Sequence, residues 1–152
     1  MRVFFAILML FLSVAFSHYL LKKYSDRTKF FSDFNSFNNK MLNQINFEKR
    51  TLISMLNDLE ENDFNKKLKI YCNNLREDFN LQYLTEDDNL TLNEYFELLG
   101  RSDQSTQNKH LLMYEKIINE KLTNAKIEEK EKKTLYLKMG LMIGLILFII
   151  II

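Results

Sequence analysis

Two almost purely apolar runs bracket the chain and limit every fold open to it: VFFAILMLFLSVAFSHYLL from Val3 to Leu21 and MGLMIGLILFIIII from Met139 to Ile152. As a helix the first is about 28 Å long at 1.5 Å per residue, a match for a hydrocarbon core of roughly 30 Å. The second spans only about 21 Å, so a full crossing needs Leu135 to Leu137 as well, with Lys138 snorkelling its ammonium back to the headgroups. Gly140 and Gly144 are four apart in it, the spacing that lets two membrane helices approach closely. Ser13 and Ser17, also four apart, share a face of the first run, and these four residues form the candidate helix-packing site. Lys22, Lys23, Arg27 and Lys29 follow the first run; Lys126, Lys130, Lys132, Lys133 and Lys138 precede the second. Positive charge is retained on the cytoplasmic side, so the stretch between reads as cytoplasmic, with both termini across the membrane. A rival reading makes the first run a cleaved secretory signal. Arg2 is then a minimal n-region, Ala15-Phe16-Ser17 offers small residues where a signal peptidase reads, and a secreted helical protein starts at His18.

Between the runs little interrupts a helix. The 152 residues include no Pro and three Gly, at 100, 140 and 144, so long helices are allowed and the turn chemistry of an all-β fold is missing. Apolar residues step by three or four at Phe30, Phe34, Phe37, Met41 and Ile45, predicting a helix from about Ser25 to Asn46. Similar spacing recurs at Leu52, Met55, Leu56 and Leu59, and at Phe64, Leu68, Tyr71 and Leu75. A short helix holds Leu92, Tyr95, Phe96 and Leu99, with Gly100 as its left-handed cap. Residues 77–89 carry acids, Asn and Thr with few periodic apolar positions, and read as a connection. Ser102 or Asp103 can then cap a long final helix whose stripe Leu111, Tyr114, Ile118, Leu122 and Ala125 faces the core. Beyond that stripe, Glu128 with Lys132 and Glu129 with Lys133 pair at i,i+4, each pair contributing roughly 0.2–0.5 kcal/mol. The expected fold is all-α: a bundle of about five helices over residues 22–137, with membrane helices at 1–21 and 138–152.

No constellation for catalysis emerges. Asp87, taken as the start of a calcium loop, places Leu92 where the sharp turn needs Gly and Leu98 where a bidentate acid is needed, so Glu86-Asp87-Asp88-Asn89 reads as a solvated loop. Cys72 is the single cysteine, fit for a small buried hydrophobe and for no internal disulfide or zinc site. His18 lies in the first apolar run, and His110 reads as a surface or boundary residue with no acid and nucleophile spaced for a triad. The three glycines form no phosphate loop. At a formal net charge of +1, with both signs interleaved, the chain offers no nucleic-acid groove.

Several stretches do resemble a known family. Arg27 after the first apolar run, Gln44-Ile45-Asn46-Phe47, Leu52, and above all Leu99-Gly100-Arg101-Ser102-Asp103 with Gln107 are similar, in order, to motifs of stage III sporulation protein AB of endospore-forming bacteria. The match at the last is to Leu-Gly-x-x-Asp-x-x-x-Gln, followed by a long helix, a Glu/Lys stretch and a terminal apolar run. Gln44 stands where that family has Glu, and Arg50-Thr51 where it has Thr-Pro. The resemblance implies a non-enzymatic, membrane-anchored adaptor in the channel-like complex between mother cell and forespore. It also implies a helical domain like the cytoplasmic domain of the type II secretion platform protein. Its partners would be other proteins of that complex, a cytoplasmic ATPase and the lipid bilayer. Its place would be the mother-cell side of the outer forespore membrane. No cofactor, metal, nucleic acid or small-molecule substrate is implied. Gly100, Arg101, Ser102, Asp103 and Gln107 are the candidate partner-docking residues, with the alternative that Asp103 caps the helix and Gln107 ties the preceding loop to it. A membrane-bound sensor or enzyme of unrelated family is the remaining alternative.

Overall fold

The computed structural model describes residues 2–47, 64–66, 68–69, 80–99 and 103–151, and these are almost wholly helical, with no strand among them. Helix α1 is Arg2–Phe47, helical residues follow at 64–66 and 68–69, α2 is Glu86–Leu98 and α3 is Gln104–Ile151. The expected helix around Leu52 to Leu59, the far end of the one expected through Tyr71 and Leu75, Cys72, Gly100, Arg101 and Ser102 all lie outside the described residues. The chain divides into two compact units, one of Met1–Thr28 with Asn124–Ile152, the other of Lys29–Thr123.

Two sequence expectations need correction. The first apolar run and the amphipathic stretch from Ser25 are one uninterrupted helix rather than two, because a change from apolar to charged side chains carries no backbone signal and no Gly or Pro intervenes. The acidic run 86–89, expected in a loop, opens α2. Thr85 is the N-cap in an extended conformation, and its hydroxyl accepts from the Asp88 N–H at 3.1 Å while Asp88 Oδ2 accepts from the Thr85 N–H at 3.1 Å. This reciprocal capping box satisfies two donors that a helix start leaves open, and Glu86, Asp87 and Asp88 lie in the first turn, where negative charge favours the helix dipole. Ahead of it, the Leu81 N–H donates to Asn89 Oδ1 at 3.1 Å and the Leu84 N–H to the Leu81 carbonyl at 3.0 Å, closing the turn onto the helix. At its other end α2 stops at Leu98, and the C-cap Leu99 has extended backbone.

The Lys29–Thr123 unit is held by aromatic packing. Phe30, Phe34 and Phe37, one stripe of α1, are buried together with Phe31, Met41 and Leu42. Against the stripe lie Phe64, whose ring is 5.3, 5.5 and 5.6 Å from the three, and Tyr95 and Phe96 of α2, each of which meets Phe34. Tyr95 stands edge-on to Phe34 at 4.9 Å and to Tyr114 of α3 at 5.1 Å, near the T-shaped geometry that aromatic quadrupoles prefer. Full burial of a Phe or Leu side chain contributes about 1.5–3 kcal/mol, so each ring buried in this cluster stabilises the unit on that order. The α3 stripe Leu111, Tyr114, Ile118, Leu122 and Ala125 is buried throughout.

Polar bonds cross the core at Asn38. Asn38, fully buried on α1, donates from Nδ2 to the Leu111 carbonyl of α3 at 3.3 Å and accepts at Oδ1 from the Tyr95 hydroxyl at 3.1 Å. Burial pushes the Tyr95 pKa far up, which keeps its proton in place for that bond.

Candidate functional site

The candidate docking corner is described from Asp103 onward. Asp103 caps α3: its Oδ2 accepts from the Ser105 and Thr106 N–H groups at 3.2 and 3.3 Å, and its carbonyl receives the first helical bond from the Gln107 N–H at 2.9 Å. The hydrogen bonds from Thr106 hold the exposed Asp103 carboxyl below the usual carboxylate range. Gln107 is half-buried one turn further on. Gln104, which sequence reasoning passed over, donates from Nε2 to the Ile45 carbonyl at 2.6 Å, supplying a donor to one of the last carbonyls of α1. Farther along, the His110 ring lies against Tyr114 with centroids 4.7 Å apart and the planes tilted by 44°. Its buried Nε2 has no hydrogen-bond partner among the described residues, and burial lowers its pKa, favouring the neutral imidazole.

An acidic pair that sequence reasoning assigned to solvent has a structural task. Lys121 of α3, itself mostly buried, donates to Asp87 Oδ2 at 2.6 Å and to Asp88 Oδ1 at 3.0 Å. Asp88 is almost completely buried, and its two oxygens are divided between the capping bond and the ammonium. This ion pair fixes the start of α2 against the middle of α3. The readable signal was Thr85 three residues ahead of Asp88, a capping-box spacing with Asp in place of the commoner Glu. Among the described residues no group of three or more His, Cys, Asp or Glu could hold a metal ion.

In the Met1–Thr28 and Asn124–Ile152 unit, α1 and α3 run antiparallel, and the four small candidate residues meet. Ser13 Oγ lies 3.0 Å from the Gly140 carbonyl and 2.8 Å from that of Leu10, sharing one proton between them, while Ser17 Oγ donates to the Ser13 carbonyl at 3.0 Å. A Cβ at Gly140 would collide with Ser17 Oγ and come within 3.2 Å of the Ser13 carbonyl; one at Gly144 would lie 2.5 Å from Ser13 Oγ and 3.3 Å from Leu10 Cγ. Farther along, Tyr24 and Tyr136 have ring centroids 6.2 Å apart, Lys132 lies over the Tyr24 ring, and Arg27 donates to Glu128 Oε2 at 2.5 Å. Both helices are long and apolar enough to cross a membrane, with mean hydropathy of 2.1 and 2.3 over their apolar windows. Outward from the seam Phe4, Phe11, Phe16, Ile146, Ile149 and Ile150 are exposed. An open groove of about 620 Å³ follows α3, lined by Ile127, Lys130, Glu131, Thr134, Leu135 and Lys138.

A family model described as stage III sporulation protein AB matches residues 57–152, well over half of the chain. Neither the curated proteins nor the solved structures contain a match.

Proposed function

Since the chain belongs to the stage III sporulation protein AB family, we propose that this sporulation protein is a non-enzymatic adaptor. Its two apolar helices anchor it in the mother-cell side of the outer forespore membrane, and its helical domain faces the cytoplasm, where it helps assemble a channel-like transport complex. The observation that carries the anchor is the seam of Ser13 and Ser17 against Gly140 and Gly144, backed by exposed apolar side chains such as Phe4, Phe11, Phe16, Ile146, Ile149 and Ile150 that face outward from it. Without a hydrophobic driving force between helices in lipid, such close backbone approach and a hydroxyl-to-carbonyl bond are what hold two spans together. The seam also argues for keeping residues 3–21, since cleavage after Ser17 would remove both serines from their glycines. Lys22, Lys23, Lys130, Lys133 and Lys138 around the ends of the spans favour the cytoplasmic side for the domain.

The resemblance extends the reading to a domain like the cytoplasmic one of the type II secretion platform protein and to a cytoplasmic ATPase as partner. Gly100, Arg101, Ser102, Asp103 and Gln107 are the docking residues in this reading. Asp103 supports it only as an exposed cap residue, and its local bonds equally serve α3 itself.

Cysteine accessibility tests the topology. In a Cys72→Ala background, and in mother cells whose engulfing membrane has not yet closed so that its outer face still meets the medium, Ser25→Cys and Thr134→Cys are each expected to resist a membrane-impermeant thiol reagent added outside and to react after permeabilisation. Ready labelling of intact cells at either position would overturn the orientation.

A further inference from the structure

Charge is not spread evenly over this nearly neutral chain. The unit Met1–Thr28 with Asn124–Ile152 holds nine Lys and Arg against four Asp and Glu, while Lys29–Thr123 holds twelve against sixteen, so formal charges of +5 and −4 lie behind the net +1. Within the first unit the positive charge gathers just beyond the apolar spans. Of the exposed charged side chains in 22–28 and 124–138, six are lysines, Lys22, Lys23, Lys126, Lys130, Lys133 and Lys138, and the seventh is Glu131. The remaining acids there are held back: Glu128 is bonded to Arg27, and Asp26 and Glu129 are half-buried. Along the groove on α3, Lys130, Thr134 and Lys138 step by four beside the apolar Ile127 and Leu135, so ammonium groups and apolar surface share one face.

We propose that this lysine collar is a binding surface for the headgroups of anionic phospholipid, selecting anionic over zwitterionic lipid around the anchor. The proposal rests on the reading that the two helices span a bilayer. Ammonium groups are compact point charges that bind phosphate without demanding a fixed geometry, which suits a mobile headgroup. Attraction to an anionic leaflet falls off within a Debye length, about 8 Å at physiological salt. Lys22 and Lys23 directly follow the first span, and Lys138 lies in the second with its ammonium drawn back to the headgroups, with Lys133 about 8 Å along the helix from it, Lys130 about 12 Å and Lys126 about 18 Å. The effect therefore concentrates in Lys22, Lys23, Lys133 and Lys138.

The full chain, reconstituted in phosphatidylcholine bilayers, is probed with spin-labelled phosphatidylglycerol and spin-labelled phosphatidylcholine, reading the motionally restricted fraction of each. The expected result is a phosphatidylglycerol preference of about threefold at low salt that shrinks towards one as salt screens it. The quadruple variant Lys22→Gln, Lys23→Gln, Lys133→Gln, Lys138→Gln should abolish most of it, and Lys126→Gln much less. Equal association of the two lipids with the parent chain overturns the collar, as does a quadruple variant that keeps the parent's preference. Competition by inorganic phosphate at matched ionic strength would assign the site to free anion and also overturn it. Alkaline carbonate extraction of the same samples reads the anchor separately. A chain retained in the bilayer without lipid preference fails only the collar. An extracted chain fails the anchor and the collar with it.

Discussion

Placing an amide in an aromatic core is destabilising unless every polar atom is paired, and Asn38 meets that condition with two partners from two other helices. The Leu111 carbonyl lies within α3 and has a second lone pair to offer, so its loss of Asn38 is mild. The Tyr95 hydroxyl, completely buried, has more at stake. Asn38→Ala should therefore cost about 1–3 kcal/mol, chiefly from the orphaned phenol. Asn38→Leu combined with Tyr95→Phe removes both members and should recover most of that loss, because an apolar pair of similar shape leaves nothing unsatisfied. Thermal unfolding of the full chain in detergent, followed by near-ultraviolet circular dichroism, reads the comparison. A double variant no more stable than Asn38→Ala would show that the core depends on shape at these positions rather than on the bond. Nothing in the sequence marks this residue: Asn38 sits next to Phe37 in a stretch rich in Asn and Ser, and only the arrival of α2 and α3 gives it partners.

At the scale of helices, what could be read in advance was the direction each one faces. The stripes through Phe30, Phe34, Phe37 and Met41, through Leu92, Tyr95 and Phe96, and through Leu111 to Ala125 are buried, with Ile45 and Leu99 half-buried at the ends of the first two, because a spacing of three or four admits one solution on a helix. Boundaries were harder, since α1 continues through a change in side-chain polarity that its backbone does not register, and α2 begins among acids that resemble a loop until Thr85 and Asp88 are seen to cap each other. The seam of α1 and α3 contains residues that spacing alone singles out, and the two glycines differ in how closely they are approached. At Gly140 a side chain meets the Ser13 carbonyl, which belongs to the opposite backbone and cannot swing aside, whereas at Gly144 the nearest atom is the rotatable Ser13 hydroxyl. Gly140→Val should thus separate the helices and Gly144→Ala be largely tolerated. With Tyr24→Cys and Tyr136→Cys in a Cys72→Ala background, a short bifunctional thiol reagent should link the pair in the parent and in Gly144→Ala, but several-fold less in Gly140→Val. Equal linking in all three would mean that close approach at Gly140 is not what holds the seam.

For the whole chain the two ends are unequal anchors despite similar hydropathy. The first apolar run matches a hydrocarbon core of about 30 Å unaided, whereas the run from Met139 falls about 9 Å short and depends on Leu135 to Leu137 being drawn in with Lys138 among them. A charged side chain at that depth has to reach back to the headgroups, and mismatch costs fractions of a kcal/mol per Å, so the second span is the weaker when it stands alone. In the paired state it has the serine face of α1 to pack on, and the seam supplies what its length does not. Removing 138–152 should accordingly leave the chain in the carbonate-resistant membrane fraction. Removing 2–21 should leave it partly extractable, because the loss takes the longer span and the packing surface of the shorter one together, and removing both should release the protein. If the chain without 2–21 resists carbonate as fully as the intact one, the second run spans on its own and the length argument fails; if the chain lacking both still sediments, the hold on the membrane comes from the remaining domain instead.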